Sequence, residues 1–361
     1  MNFTSNIAGI IIASLLSAAA YRADACTTFS INASQEKVFG KSYDWSMSHG
    51  FVVVNKRNVS KTAFALLPGD KPATWTSKFG SLTFNQYGRE FPNGGINEAG
   101  LVLEVMILGE TKYPGAGTGL PTVNELQWIQ YQLDRFETVA EVAQHAGDLR
   151  ISKVMSGVHY LACDRSGDCA SIEWIGGSPV VHTGARMPHH ALTNSTYANS
   201  LAEIRNYQGF GGTKPVPPRA SGSLERFVRA SASVREFDPA RGPAPEQAFG
   251  ILESVGSSSS QWQIVYEAET GRAHFRTLPY REIKSIDATA FNYDCSHPVQ
   301  VFDMDAATGG DVTDDFADYT EQKNRVIVEK ALKGSLPAFA VEKAVKYPAT
   351  TVCNKKVLID Q

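Results

Sequence analysis

Candidate strands in this chain come in runs, and the runs are separated by groups of helices. Apolar stretches at 26–31 and 37–40 flank a polar turn, NASQE. FVVVNK at 51–56 is β-branched, 81–87 follows it, and GLVLEVMIL at 100–108 reads as a buried strand. A Gly/Pro-rich loop at 111–121 leads to helices expected at 122–136 and 138–147. In the first of these, Leu126, Ile129, Leu133 and Phe136 share one helical face, with Pro121 and Thr122 at its start. A meander at 158–162, 170–175 and 180–183 comes next, then helices at 196–206, 224–235 and 245–255, with a loop at 215–218. A hairpin at 262–268 and 272–278 turns on Glu269-Thr270-Gly271. An acidic, loop-like segment at 303–320 precedes a last helix at 323–333. No internal repeat occurs. The order strands, helices, strands, helices, strands excludes a regular βαβ alternation and predicts an antiparallel α+β architecture, its sheets covered by helices.

The stretch ahead of the first strand is of another kind. Residues 8–20, AGIIIASLLSAAA, are apolar and small. They are too short for a bilayer span, which needs about 20 apolar residues. They fit the apolar region of a secretory signal peptide, and Ala23-Asp24-Ala25 fits its small-x-small cleavage site. The start, MNFTSN, lacks the usual Lys or Arg. The reading is therefore a signal peptide at 1–25 and a mature domain at 26–361, exported to the periplasm or secreted. A buried helix is the competing reading of the apolar run, and a lipoprotein with an acylated Cys26 competes for the same cysteine. Removal of Arg22 and Asp24 together leaves the formal charge at −3. A near-neutral chain without a Lys/Arg block is no nucleic-acid binder, and no second apolar run suggests a membrane span.

The five cysteines are Cys26, Cys163, Cys169, Cys295 and Cys353. An exported chain tends to pair them. Cys163 and Cys169 flank DRSGD, the tip of a hairpin, which suits a bridge; Cys295 with Cys353 is then the other pair. That leaves Cys26 as the odd thiol. The alternative, four reduced and buried cysteines, stays open.

Familiar catalytic patterns are missing: there is no G-x-S-x-G, H-E-x-x-H, Walker loop or G-x-G-x-x-G after a strand. His189-His190 reads as a pair on a solvated loop. Cleavage after Ala25 would instead give Cys26 both a thiol and a free α-amine. With pKa values of about 8.5 and about 7.7–8.0, the amine can take the thiol proton itself, so nucleophile and base reside in one residue. A carboxylate to hold the amine and amide donors for an oxyanion would complete such a site.

Several separated motifs, in order, resemble the choloylglycine hydrolases, which include bile salt hydrolases, penicillin V acylases and related linear-amide hydrolases with an N-terminal nucleophile. Cys26-Thr27-Thr28 stands at the nucleophile's place. In Phe39-Gly40-Lys41-Ser42-Tyr43-Asp44-Trp45, Asp44 matches the family's aspartate, Lys41 stands where the family has arginine, and Trp45 is similar to a tryptophan of the Gram-negative branch. Lysine keeps the charge and loses the planar two-pronged donor. Asn97-Glu98-Ala99-Gly100-Leu101 leads to Met106-Ile107, with Ile107 where bile salt hydrolases carry asparagine. Asn194, in Leu192-Thr193-Asn194-Ser195, matches the oxyanion asparagine, and Arg226, in Arg226-Phe227-Val228-Arg229, matches the active-site arginine. Taken singly, Asp44 also reads as a turn residue, Asn194 as a helix cap and sequon, and Arg226 as a solvated helix face.

The resemblance implies a four-layer αββα sandwich of two antiparallel sheets and hydrolysis of a linear, non-peptide amide through an acyl-thioester on Cys26. It gives Asp44, Lys41 and Arg226 to the nucleophile's surroundings and Asn194 with the Ile107 backbone N–H to the oxyanion. Trp45, Met106 and Ile107 become candidates for the acyl pocket, with core packing the equal alternative for each. Ile107 in place of asparagine points to an apolar acyl group, as in penicillin V-like or N-acyl amides, ahead of bile salts. An acid-ceramidase-like amidase is an enzyme alternative, and a secreted binding protein that keeps the fold without the activity is one of another class. The implied partner is a small acyl amide. No cofactor or metal is called for, and a homo-oligomer is expected.

Overall fold

The computed structural model describes residues 26–33 and 36–354. The expected signal segment at 1–25 lies outside the described residues.

Two large sheets stack face to face. The first runs, edge to edge, through Ala191–Leu192, Thr27–Ala33, Glu36–Asp44, Ser260–Glu267, Arg272–Thr277, Lys284–Asp287 and Gly310–Asp311. Its ladders are antiparallel except the last, where Lys284–Asp287 and Gly310–Asp311 run parallel. The second sheet has nine strands, all antiparallel, with Val102–Ile107 near its middle between Val158–Cys163 and Gly94–Asn97. Among the described residues there are seven α-helices: α1 (Glu125–Arg135), α2 (Val139–His145), α3 (Tyr197–Ile204), α4 (Ser223–Arg235), α5 (Ala244–Val255), α6 (Glu321–Leu332) and α7 (Ala338–Lys346). Helices α4 and α5 cover the outer face of the first sheet, and α1 and α2 that of the second. The result is the αββα sandwich.

Sequence alternation explains the layers. Along Val102–Ile107, Val102 and Met106 join the core between the sheets, while Leu103 and Val105 join the core under α1 and α2. Aromatic rings bridge the sheets: Phe84 of the second packs edge-on against Tyr266 and Phe275 of the first. Phe29 and Gly40 are register partners, and a Cβ at Gly40 would lie 2.4 Å from Phe29 Cζ. Glycine at 40 is thus what lets the ring lie flat across the neighbouring strand.

The structure departs from the sequence expectation in several places. Helix α1 starts later than Pro121-Thr122 suggested, because Thr122–Val123 pairs in parallel with Arg150–Ile151 and is held extended. Asn124 is the true cap, its side chain accepting from Leu126 N and Gln127 N. The acidic segment at 303–320 contributes two short strands, Gly310–Asp311 and Ala317–Asp318. A seventh helix, α7, follows the helix expected to be last; its buried stripe is small, Ala340 and Ala344 with Val345, and gives little periodic signal. His189 and His190 are half-buried rather than solvated, with His189 edge-on to Phe210 and the His190 carbonyl accepting from Ser30 N.

Both disulfides form: Cys163–Cys169 closes the hairpin and Cys295–Cys353 ties the C-terminal tail back. Cys26 is the free cysteine. No helix among the described residues is long and apolar enough to cross a membrane.

Candidate active site

Cys26 precedes the first strand and is 4% exposed. Arg226, in the first turn of α4, reaches it from 200 residues away. Its Nη1 donates to Cys26 O at 2.6 Å and to Thr27 Oγ1 at 2.6 Å, Nη2 to Asn194 Oδ1 at 3.1 Å, and Nε to Ser221 O at 3.2 Å. At 1% exposure Arg226 is buried, which removes the solvated-face reading. Burial lowers its pKa to about 10, against the raising influence of Asp44 and Cys26. The same fork fixes the orientation of Asn194. With Oδ1 accepting from Arg226, Nδ2 faces the other way and donates to Ile107 O at 2.8 Å. A side-chain amide carries two N–H donors, so one remains for a second acceptor.

Asn194 is held from behind by residues that sequence patterns did not single out. Ser223 Oγ accepts from Asn194 N at 3.0 Å. Below it, buried His159 places Nε2 2.5 Å from Thr193 O and Nδ1 2.9 Å from Glu173 Oε1, and Glu173 also accepts from Tyr197 N at 2.9 Å. His159 and Glu173 lie on adjacent strands, so no sequence spacing announces the pair. The sequon reading of Asn194 conflicts with its geometry, since both ends of the amide are engaged inside the site.

Asp44 ends the second strand and is 1% exposed. Its Oδ1 accepts from Ser260 Oγ at 2.6 Å and Ser42 Oγ at 2.8 Å, and Oδ2 from Ser257 Oγ at 3.4 Å. Burial raises the Asp44 pKa, and the Ser260 and Ser42 hydrogen bonds oppose that rise. Ser42 shares a strand face with Asp44 two residues on, a legible hint; Ser257 and Ser260 arrive from another strand and its entry turn. Cys26 Sγ lies 4.0 Å from Asp44 O. Burial raises the thiol pKa, against the lowering influence of the Lys41 charge first and of Arg226 after it. Burial thus favours the neutral thiol over the thiolate in the resting site.

Lys41 is fully buried and donates from Nζ to Val105 O at 2.5 Å. Its counter-charge is Glu104, 4.0 Å away on the facing sheet, whose Oε1 accepts from Tyr266 OH at 2.6 Å. Gly94 makes the room: it is the register partner of Glu104, and a Cβ there would fall 2.1 Å from the carboxyl carbon. Burial pushes Glu104 up to about 7 despite Lys41 and Tyr266.

Cys26 opens onto a cavity of about 490 Å³, mouth included, lined among others by Tyr43, Trp45, Val105, Ile107 and Val158. Trp45 and Ile107, both candidates for the acyl pocket, line this cavity. Met106 does not: strand alternation turns it into the core between the sheets, where its Sδ accepts from Thr28 Oγ1 at 3.5 Å. Tyr87 and Asn93 line the cavity without having been anticipated. Among the described residues no cluster of His, Cys, Asp or Glu is arranged to hold a metal ion.

A buried thiol, a forked arginine and an oriented amide thus meet beside an apolar cavity. The family model for linear amide C–N hydrolases, choloylglycine hydrolase family, matches residues 26–235, more than half of the chain, and the chain belongs to that family. A penicillin V acylase of Pectobacterium atrosepticum is 31% identical over 186 residues, 47% of this chain and 49% of that protein, so the match spans about half the length of that relative. The solved penicillin V acylase from Agrobacterium tumefaciens superposes with a TM-score of 0.71 at 26% identity, over 82% of this chain and 98% of that one. A variant of conjugated bile acid hydrolase from Clostridium perfringens shares the fold, with a TM-score of 0.63 at 17% identity over 77% of this chain and 97% of its own.

Proposed function

We propose that the chain is exported, loses residues 1–25, and hydrolyses linear, non-peptide amides with an apolar acyl group through Cys26. The observation that carries this reading is the convergence of Arg226 and Asn194 on Cys26, which itself lines an apolar cavity. The two disulfides support an oxidising destination.

In this mechanism the Cys26 α-amine takes the thiol proton as Sγ bonds to the substrate carbonyl carbon. The carbonyl electron pair moves to oxygen, and the second Asn194 Nδ2–H and the Ile107 backbone N–H stabilise the oxyanion. The C–N bond then breaks, and the leaving nitrogen takes the proton held on the α-ammonium. Water attacks the resulting thioester, giving its proton to the amine; the C–S bond breaks, releasing the acid and restoring the thiol. Asp44, held by three serines, orients the amine. Lys41 and Arg226 favour the thiolate as it forms. Penicillin V-like phenoxyacetyl amides and N-acyl amides fit an apolar pocket flanked by Trp45 and Ile107 better than a substrate needing a polar group at position 107.

Turnover of phenoxyacetyl and fatty-acyl amides by the wild type and by Cys26→Ala tests the reading. Hydrolysis by the first and none by the second is expected; equal rates would remove Cys26 from the chemistry.

A further inference from the structure

Next to the cavity at Cys26 lies a second one of about 380 Å³, mouth included. The two share a wall of four side chains: Tyr87, Glu125, Leu126 and Met155. Beyond that wall the lining is Phe64, Phe91, Val154, Leu332, Leu336 and Ala344, aromatic and aliphatic, with Asn124 as its one polar side chain. Leu332 ends α6, Leu336 sits in the α6–α7 turn, and Ala344 is on α7. This end of the second cavity therefore comes from a segment C-terminal to the region matched by the family model, residues 26–235.

The shared wall is asymmetric. Glu125 is fixed, 3% exposed, with its carboxylate accepting from Val154 N, Met155 N and Ser156 N at 2.9, 2.6 and 3.1 Å. Its charge is thereby committed to the 154–156 backbone. Leu126 and Met155 are half-buried, and methionine is the most adaptable of apolar side chains. Apart from Tyr87 and the committed Glu125, the partition is apolar and adaptable, which suits an unbranched alkyl chain better than a rigid polycycle.

Resting on the amidase reading above, we propose that the second cavity is a distal acyl subsite. It takes the far end of a linear fatty-acyl chain whose carbonyl is at Cys26, and the α6–α7 pair sets the acyl length. The chain passes between Leu126 and Met155, and Leu336 closes the far end.

The test uses full-length protein and butanoyl, octanoyl and dodecanoyl p-nitroanilides. Leu336 is half-buried, so both a larger and a smaller residue are tolerable there. Leu336→Trp lowers the dodecanoyl-to-butanoyl ratio of kcat/KM on the order of tenfold, the value of about two buried methylenes. Leu336→Ala moves the optimum to longer chains. Calorimetric titration with dodecanoate, which needs no turnover, shows weaker binding to Leu336→Trp than to the wild type. Unchanged ratios in both variants, or equal dodecanoate affinity, would overturn the subsite. If no anilide is cleaved while dodecanoate binding weakens in Leu336→Trp, the amidase reading falls and the subsite stands.

Discussion

Arg226 Nη1 donates to the carbonyl oxygen of Cys26 at 2.6 Å while its Nη2 holds Asn194 Oδ1 at 3.1 Å. One planar group thus fixes the Cys26 backbone and the Asn194 amide together. Arg226→Lys keeps the charge and loses the fork. An ammonium cannot reach Cys26 O, Thr27 Oγ1 and Asn194 Oδ1 together. The expected result is a stability loss on the order of 2 kcal/mol in urea unfolding and a fall in kcat of roughly tenfold or more, since hydrogen bonds from a charged donor are lost.

Asn194→Ala removes the side-chain donor and leaves the Ile107 backbone in place. Loss of one oxyanion donor costs about 10²–10³ in kcat. KM should move little, because the contact strengthens only as charge develops on oxygen. A fall confined to KM would place Asn194 in substrate binding instead.

Glu104 lies across the sheet interface from Lys41, 1% exposed, with its pKa pushed up to about 7 by burial. A folded-state pKa above the unfolded one means stability that is present at low pH and lost as pH rises. Here the window runs from 4.5, the ordinary value, to about 7. Glu104→Gln cannot titrate, so its stability relative to the wild type should rise by up to about 3 kcal/mol across that window. Denaturant midpoints at several pH values check the sign. A wild type that gains on the variant as pH rises would mean that Lys41 outweighs desolvation.

Much of this site is legible in the amino-acid sequence, and the reason is local. Cys26, the Lys41–Asp44 segment, Asn194 and Arg226 each sit in a short motif, and the fold gathers the other three segments around Cys26. Ser42, two residues ahead of Asp44, is legible from strand alternation. The supporting residues are not, because their pairing is tertiary: His159 with Glu173 across neighbouring strands, Ser260 on Asp44, and Glu104 with Tyr266 behind Lys41. Met106 and Ile107 are adjacent in sequence and face opposite layers, which a motif alone does not show. Helix α7 escaped for a different reason: its buried side is mostly alanine, and its place is fixed by packing against α6.

The central claim is that the working protein begins at Cys26 with its amine free. N-terminal sequencing and intact mass of the catalytically active fraction test it most directly. A chain starting with unmodified Cys26 is the expected result. Full amide turnover by protein that retains Ala25, or whose Cys26 amine is acylated, would contradict it.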